Sequence, residues 1–148
     1  MHIPPPVFGL AGVITLVAAN WLWPSFSIDF NGQWIVCGLL ALAGLAVAVS
    51  AARGFFRAET TVLPNKPEQA SALVTDGVYR FTRNPMYLGL ALIVTGVGIG
   101  LGTLATPFIL AAFIWIINTR QIVPEEHALE KNFGAEFIAY KARVRRWL

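Results

Sequence analysis

The chain has 148 residues, of which 56% are hydrophobic and 13% charged, with a formal net charge of +3. Soluble domains carry about 25% charged residues, so roughly half the usual water-facing groups are present and a membrane protein is expected. The basic excess does not point to nucleic acid, which needs a basic face on a soluble body, and the single cysteine, Cys37, excludes an intramolecular disulfide and reads as a small packing residue.

Pro4, Pro5 and Pro6 cannot lie inside a helix, so the first span is expected from Val7 to Trp23, with proline tolerated in its opening turn and Pro24 ending it. The N-terminal stretch lacks a basic region, and no small-residue cleavage site follows the first apolar run, so no cleavable signal peptide is expected. A loop carrying one charge, Asp29, leads to the second span, Gln33 to Ala52, which carries no charge. Gly44, Ala48 and Ala52 recur there at every fourth position, which lets a neighbouring helix backbone come close.

Residues 53–85 turn polar, and Pro64 and Pro67 forbid one continuous helix. The segment ends in a turn signal at Asp76-Gly77, the bracketing Arg80 and Arg83, and a helix start at Asn84-Pro85. Residues 86–118 are apolar again except near Gly102-Thr103, which predicts a helical hairpin with two short arms, 86–101 and 104–119, marginal for a full span. The glycines of TGVGIGLGT, Thr95 to Thr103, follow no strand and do not fit a nucleotide loop; close helix packing and the hairpin turn account for them. Beyond Arg120 the chain becomes polar and amphipathic: Pro124, Glu125 and Glu126 suit a first helical turn. Leu129, Phe133 and Phe137 form a four-residue stripe suited to the membrane surface, with a bend or break expected at Gly134. Lys141, Arg143, Arg145 and Arg146 make a basic end suited to anionic headgroups.

The expected fold is therefore an all-α membrane protein, a single domain over 1–148. It has four transmembrane helices, the last two a short hairpin, plus a polar loop segment over 53–85 and a C-terminal amphipathic helix within 120–148. This path puts every lysine and arginine on one side, which by the positive-inside rule is cytoplasmic and holds both termini. Trp21, Trp23 and Trp34 flank the opposite loop, where interfacial aromatics belong.

Two polar segments then meet at one membrane face. Arg80, Arg83 and Arg120 are either charge anchors or anion readers, since guanidinium offers a planar donor fork. Glu125 and Glu126 either start a helix or hold a hydroxyl or ammonium group, and Tyr79 and Tyr87 either mark the interface or face a cationic ligand. His127 has no partner at metal-ligand spacing, so no metal is expected. The residues alone favour a ligand site at the interface without naming the ligand.

The stretch ALVTDGVYRFTRNPMYLG followed by PEEHALEKNFGAEFIAYKARV resembles the isoprenylcysteine carboxyl methyltransferase and phospholipid methyltransferase superfamily. Gly77, Tyr79, Arg83, Pro85, Tyr87 and Gly89 match the first motif; Glu125, Glu126, Leu129, Phe133, Gly134, Phe137, Tyr140 and Val144 match the second. The resemblance covers about the last 80 residues. It implies an integral-membrane enzyme that uses S-adenosylmethionine without a Rossmann domain, acting on a lipophilic or lipidated acceptor among membrane lipids. It places cofactor contacts at Ser71, Ala72, Leu73, Val74, Tyr79, Asn84, Pro85, Met86, Tyr87 and Glu125, and an acceptor-facing arginine at Arg120. Arg83, Arg120 and Glu126 are the candidate catalytic residues. Asn84 stands where many eukaryotic members have histidine. The alternatives are a phospholipid amine N-methyltransferase and a small transporter or scaffold. A transporter calls for ionisable groups lining the spans, and these spans show none.

Overall fold

A computed structural model describes residues 4–58 and 71–148. Among these residues six α-helices follow one another: α1 (Pro5–Leu22), α2 (Gln33–Arg57), α3 (Pro85–Gly100), α4 (Thr106–Ile117), α5 (Val123–Phe133) and α6 (Ala135–Arg143). Short 3-10 turns occupy Pro24–Phe26 and Gly77–Arg80, and a π turn, Asn118–Ile122, joins α4 to α5. No strand occurs among the described residues. The polar stretch 59–70, with Pro64 and Pro67, lies outside them.

Among the described residues three continuous helices are long and apolar enough to cross a membrane: Pro5–Leu22, Gln33–Arg57 and Thr106–Phe133. The fourth apolar helix, α3, has only 16 residues, as the hairpin reading expected. Leu10, Ile14 and Val17 on α1, Ile35, Leu39, Leu42 and Leu45 on α2, and Phe108 and Trp115 on α4 all stand exposed. Apolar surface on this scale is covered by lipid, and the chain is a multi-pass membrane protein.

The central helix is α3. Its Gly89 meets Gly44 of α2 so closely that a Cβ on either glycine would lie 2.5 Å from the other's carbonyl oxygen. Further along, Gly96 and Gly100 pack on Cys37, and Gly98 packs on Thr106 of α4, which explains the glycine run. Helix α1 covers the opposite face, with Gly9 against Leu90 and Gly12 against Val94 and Phe113. Small residues let these backbones approach, because packing rather than water exclusion joins helices in lipid. Gly44→Ala is therefore expected to cost about 1–3 kcal/mol in thermal unfolding in detergent. Gly38→Ala, with open space where its Cβ would go, should leave the melting temperature unchanged.

The far side of the bundle is pinned by polar contacts. Ile28 N–H donates to the Gly102 carbonyl at 2.8 Å and Leu104 N–H to Phe26 at 3.0 Å. Gln33 donates to Asp29 at 3.1 Å and to the Gly100 carbonyl at 3.0 Å. Gly102 makes the hairpin turn with φ +65°, a left-handed conformation that favours glycine. The loop after α1 and the α3–α4 turn thus share one end, and the motif Arg83-Asn84-Pro85 lies at the other.

Three features differ from the sequence expectation, the first being that α2 runs on as helix to Arg57, past its expected end at Ala52. The second hairpin arm does not end at residue 119 but runs on as one continuous helix to Phe133. Pro124 has no N–H and its ring crowds the carbonyl four residues back, so the helix widens just before it. Val123 N–H accordingly donates to the Asn118 carbonyl, five residues away. The apolar stripe of Leu129, Phe133 and Phe137 does not lie on the membrane surface as one face. Gly134, at φ +52°, ends α5, and Phe137 is buried at 1% exposure.

Candidate functional site

Pro85 opens α3 in the position where a missing N–H costs nothing, and its ring keeps the preceding Asn84 out of the helical conformation, at φ −128° and ψ 57°. That fixes where Asn84, Met86 and Tyr87 sit. The preceding segment packs on the end of α2: Val74, Tyr79 and Ala51 form a buried cluster with Phe55, Val78 and Met86 around it. Gly54 leaves the space that this requires, since a Cβ there would lie 3.3 Å from Val74. Phe55 meets the Tyr79 ring edge-on, with centroids 5.5 Å apart.

Across the hairpin, the Tyr87 hydroxyl donates to Glu125 at 2.5 Å. Glu125 lies on α5, at the polar end of the helix Thr106–Phe133, past the apolar pair Ile122 and Val123 and beside the charged Glu126, Glu130 and Lys131. Burial pushes its carboxyl up to about 7; the Tyr87 hydrogen bond works against that rise and the charge of Glu126 adds to it. Glu125 therefore changes charge near neutral pH.

The adjacent carboxylate has a different setting. Burial of Glu126 opposes its charge, but hydrogen bonds from Arg146 and Arg83 prevail and hold it below the usual carboxylate range. Arg83 donates to Glu126 at 2.8 Å, and Arg146 donates to it at 2.6 and 3.1 Å. Arg83 also donates to the carbonyls of Lys141 at 3.1 Å and Val144 at 2.6 Å, and its backbone N–H donates to Arg145 at 2.9 Å. Thr82 and Asn84 each donate to the Arg146 carbonyl, at 3.2 and 2.9 Å. The end of the chain is thereby strapped across the Arg83-Asn84-Pro85 motif. The Tyr140 hydroxyl donates to the Tyr79 carbonyl at 2.7 Å and ties α6 to the Gly77–Arg80 turn. Burial raises the pKa of both tyrosines, so their hydroxyls keep their protons.

The sequence candidates thus fall into three settings. Val74, Tyr79, Pro85, Met86, Tyr87 and Glu125 converge around the start of α3, with Asn84 beside them and hydrogen-bonded to the C-terminal strap; Ala72 and Leu73 are half-buried and Ser71 is exposed. Arg83 and Glu126 bond to each other and to the strap. Arg120 stands exposed on the π turn. His127 is exposed, and no cluster of metal-ligating side chains occurs among the described residues. Sequence reasoning missed Arg146, read as a headgroup contact, and Trp147, whose indole N–H donates to Asn118 at 3.1 Å. Pro124 within a continuous helix signals a kink or a π turn, but no side-chain pattern points to Arg146 or Trp147.

The chain is 30% identical to a protein-S-isoprenylcysteine O-methyltransferase B of Arabidopsis thaliana over 96 residues, 65% of this chain and 47% of that protein. It is 28% identical to the protein-S-isoprenylcysteine O-methyltransferase of Schizosaccharomyces pombe over 128 residues, 82% of this chain and 52% of that one. An uncharacterized protein of Haemophilus influenzae is 44% identical over 63 residues, its whole length and 43% of this chain. The chain spans about half the length of the two isoprenylcysteine methyltransferases. No solved structure matches. A family profile described as phospholipid methyltransferase matches residues 33–136, from the start of α2 into α6. With both motifs inside or adjoining that match and folded against each other, the chain belongs to the phospholipid methyltransferase family.

Proposed function

We propose that the chain is an S-adenosylmethionine-dependent methyltransferase acting at the cytosolic membrane face on a lipophilic acceptor, such as an isoprenylcysteine carboxylate. The observation that carries this reading is the part-buried Tyr87–Glu125 pair, which joins the two motif segments in one place. The donor set suits the cofactor: a carboxylate for a cationic or hydroxyl-bearing ligand, phenol and amide groups for polar edges, and apolar surface from Val74 and Met86 for a flat ring. Ala72, Leu73, Val74, Tyr79, Asn84, Met86, Tyr87 and Glu125 would hold it, with Ser71 at the rim.

When bound, the cofactor supplies a methyl group already activated on a sulfonium, for in-line displacement. The protein's residues then mainly position the reactants and exclude water. A carboxylate acceptor is ionised at neutral pH and needs no base; Arg120, exposed on the π turn, is the group proposed to meet it. Arg83 and Glu126 act by fixing α3 against the strap. The polar cofactor would enter from the cytosol and the lipophilic acceptor from the bilayer, both termini lying on the cytosolic side with the basic residues.

The test is calorimetric titration of lipid-reconstituted protein with S-adenosylmethionine, followed by methyl-labelled cofactor and host membranes to identify the labelled product. No binding by folded protein would sink the reading. A labelled amine would make the protein a phospholipid amine N-methyltransferase. Because a cationic donor favours ionised Glu125, affinity is expected to rise between about pH 6 and about pH 8, with its midpoint near the raised value of about 7.

A further inference from the structure

The π turn sets the direction of Glu125. An α-helix advances about 100° per residue, so one extra residue in a widened turn rotates everything beyond it by about that angle. Were residues 118–122 to relax to a regular α-helix, Glu125 would point roughly where Glu126 points now. It would lose Tyr87, and Glu126 would lose Arg83. What holds the widened form is therefore part of the site.

Pro124 favours the turn from within the helix, and the strap holds it from outside. Trp147 packs against the buried cluster of Tyr87, Ala91, Phe113, Ile117 and Ile122, in which Ile117 immediately precedes the turn and Ile122 closes it. Its indole N–H donates to Asn118 Oδ1 at 3.1 Å. The carbonyl of the same Asn118 accepts the five-residue bond from Val123 that defines the π turn. The backbone just before Trp147 is fixed on the motif by Thr82, Asn84 and Arg83. One side chain from the chain's end thus grips the first residue of the turn and touches Tyr87's cluster at once.

We propose that Trp147 is a positioning residue of the methyl-donor site, acting through Asn118 to hold the π turn in the register that aims Glu125 at Tyr87. This rests on the S-adenosylmethionine reading above and adds a part of the site that lies outside both motifs.

Trp147→Phe keeps an aromatic ring in the cluster and deletes the N–H. Asn118→Leu deletes the acceptor, and Asn118→Asp keeps one. Hydrogen exchange of the 118–125 amides and S-adenosylmethionine affinity are measured on each variant of the reconstituted full chain. Trp147→Phe and Asn118→Leu are expected to speed exchange at those amides and to weaken affinity roughly three- to tenfold, the range of one lost hydrogen bond. Asn118→Asp should behave like wild type, and the double variant Trp147→Phe/Asn118→Leu should be no worse than either single change, because the two delete one interaction. If Trp147→Phe does not fold, the Asp/Leu contrast at position 118 decides: equal behaviour of the two overturns the proposal. Unchanged exchange overturns it, as do faster exchange with unchanged affinity and additive losses in the double variant. Wild-type protein that binds no S-adenosylmethionine overturns the functional reading and this role with it; a wild type that binds normally, with variants that match it, overturns this role alone.

Discussion

Glu126→Ala is expected to destabilise the folded chain by about 3–5 kcal/mol, the cost of stranding one member of a buried ion pair. Arg83, its partner, has a side chain only 11% exposed, and its Nε is already buried without a partner among the described residues. Removing the carboxylate would leave that guanidinium with backbone carbonyls alone. Arg146 is more exposed, at 36%, so water can take over its charge and Arg146→Ala should cost much less. Unfolding in detergent, followed by heat or denaturant, measures both. Limited proteolysis adds a local readout, since loss of Glu126 should open the strap after Val144 before the bundle unfolds. A Glu126→Ala variant as stable as wild type, with a protected C-terminus, would show that the cluster is not what holds the strap.

The same carboxylate gives a pH signature with a fixed sign. Its folded pKa lies below the ordinary 4.5, so the stability it contributes is present above that value. It is lost as pH falls through the lowered folded value. Strap opening should therefore begin only in acid, well away from the neutral range in which Glu125 titrates.

How far the sequence showed all this depends on the range of each interaction. The spans were legible because lipid demands long uncharged runs, and α1 and α2 begin within about two residues of the expected positions. The close approach at Gly44 was legible too, since a four-residue repeat of small side chains has few other uses in a membrane helix. The convergence of residues 74–87 with Glu125 followed from topology alone: a hairpin returns the chain to the side it left. The strap was not legible. Arg83 meets residues 58 and 61 positions away through backbone carbonyls, which every residue has, so no side-chain pattern announces it. The stripe of Leu129, Phe133 and Phe137 misled for a physical reason. Four-residue spacing marks one face only while the helix is unbroken, and Gly134 separates Phe133 from Phe137. The π turn likewise shifts the phase of everything after residue 122, which no uniform 3.6-residue period can follow.

Tyr87→Phe and Glu125→Gln together carry the other large expectation, because they separate a cofactor role from a structural one. Hydrogen bonds to charged groups are worth about 1.5–3 kcal/mol, so each change is expected to weaken S-adenosylmethionine binding roughly 10- to 100-fold. Their pH profiles should part in opposite ways. The Tyr87 hydrogen bond is the one contribution that lowers the Glu125 pKa against burial and the charge of Glu126. Deleting the hydroxyl lets that pKa climb further, so the binding midpoint of Tyr87→Phe should move to higher pH. Glu125→Gln has no proton to lose and should bind weakly with a flat profile across neutrality. Calorimetry at a series of pH values distinguishes these cases on the reconstituted protein. Two variants that bind as wild type does, with its pH profile intact, would leave the Tyr87–Glu125 pair as packing between α3 and α5 and remove the observation on which the methyltransferase reading rests.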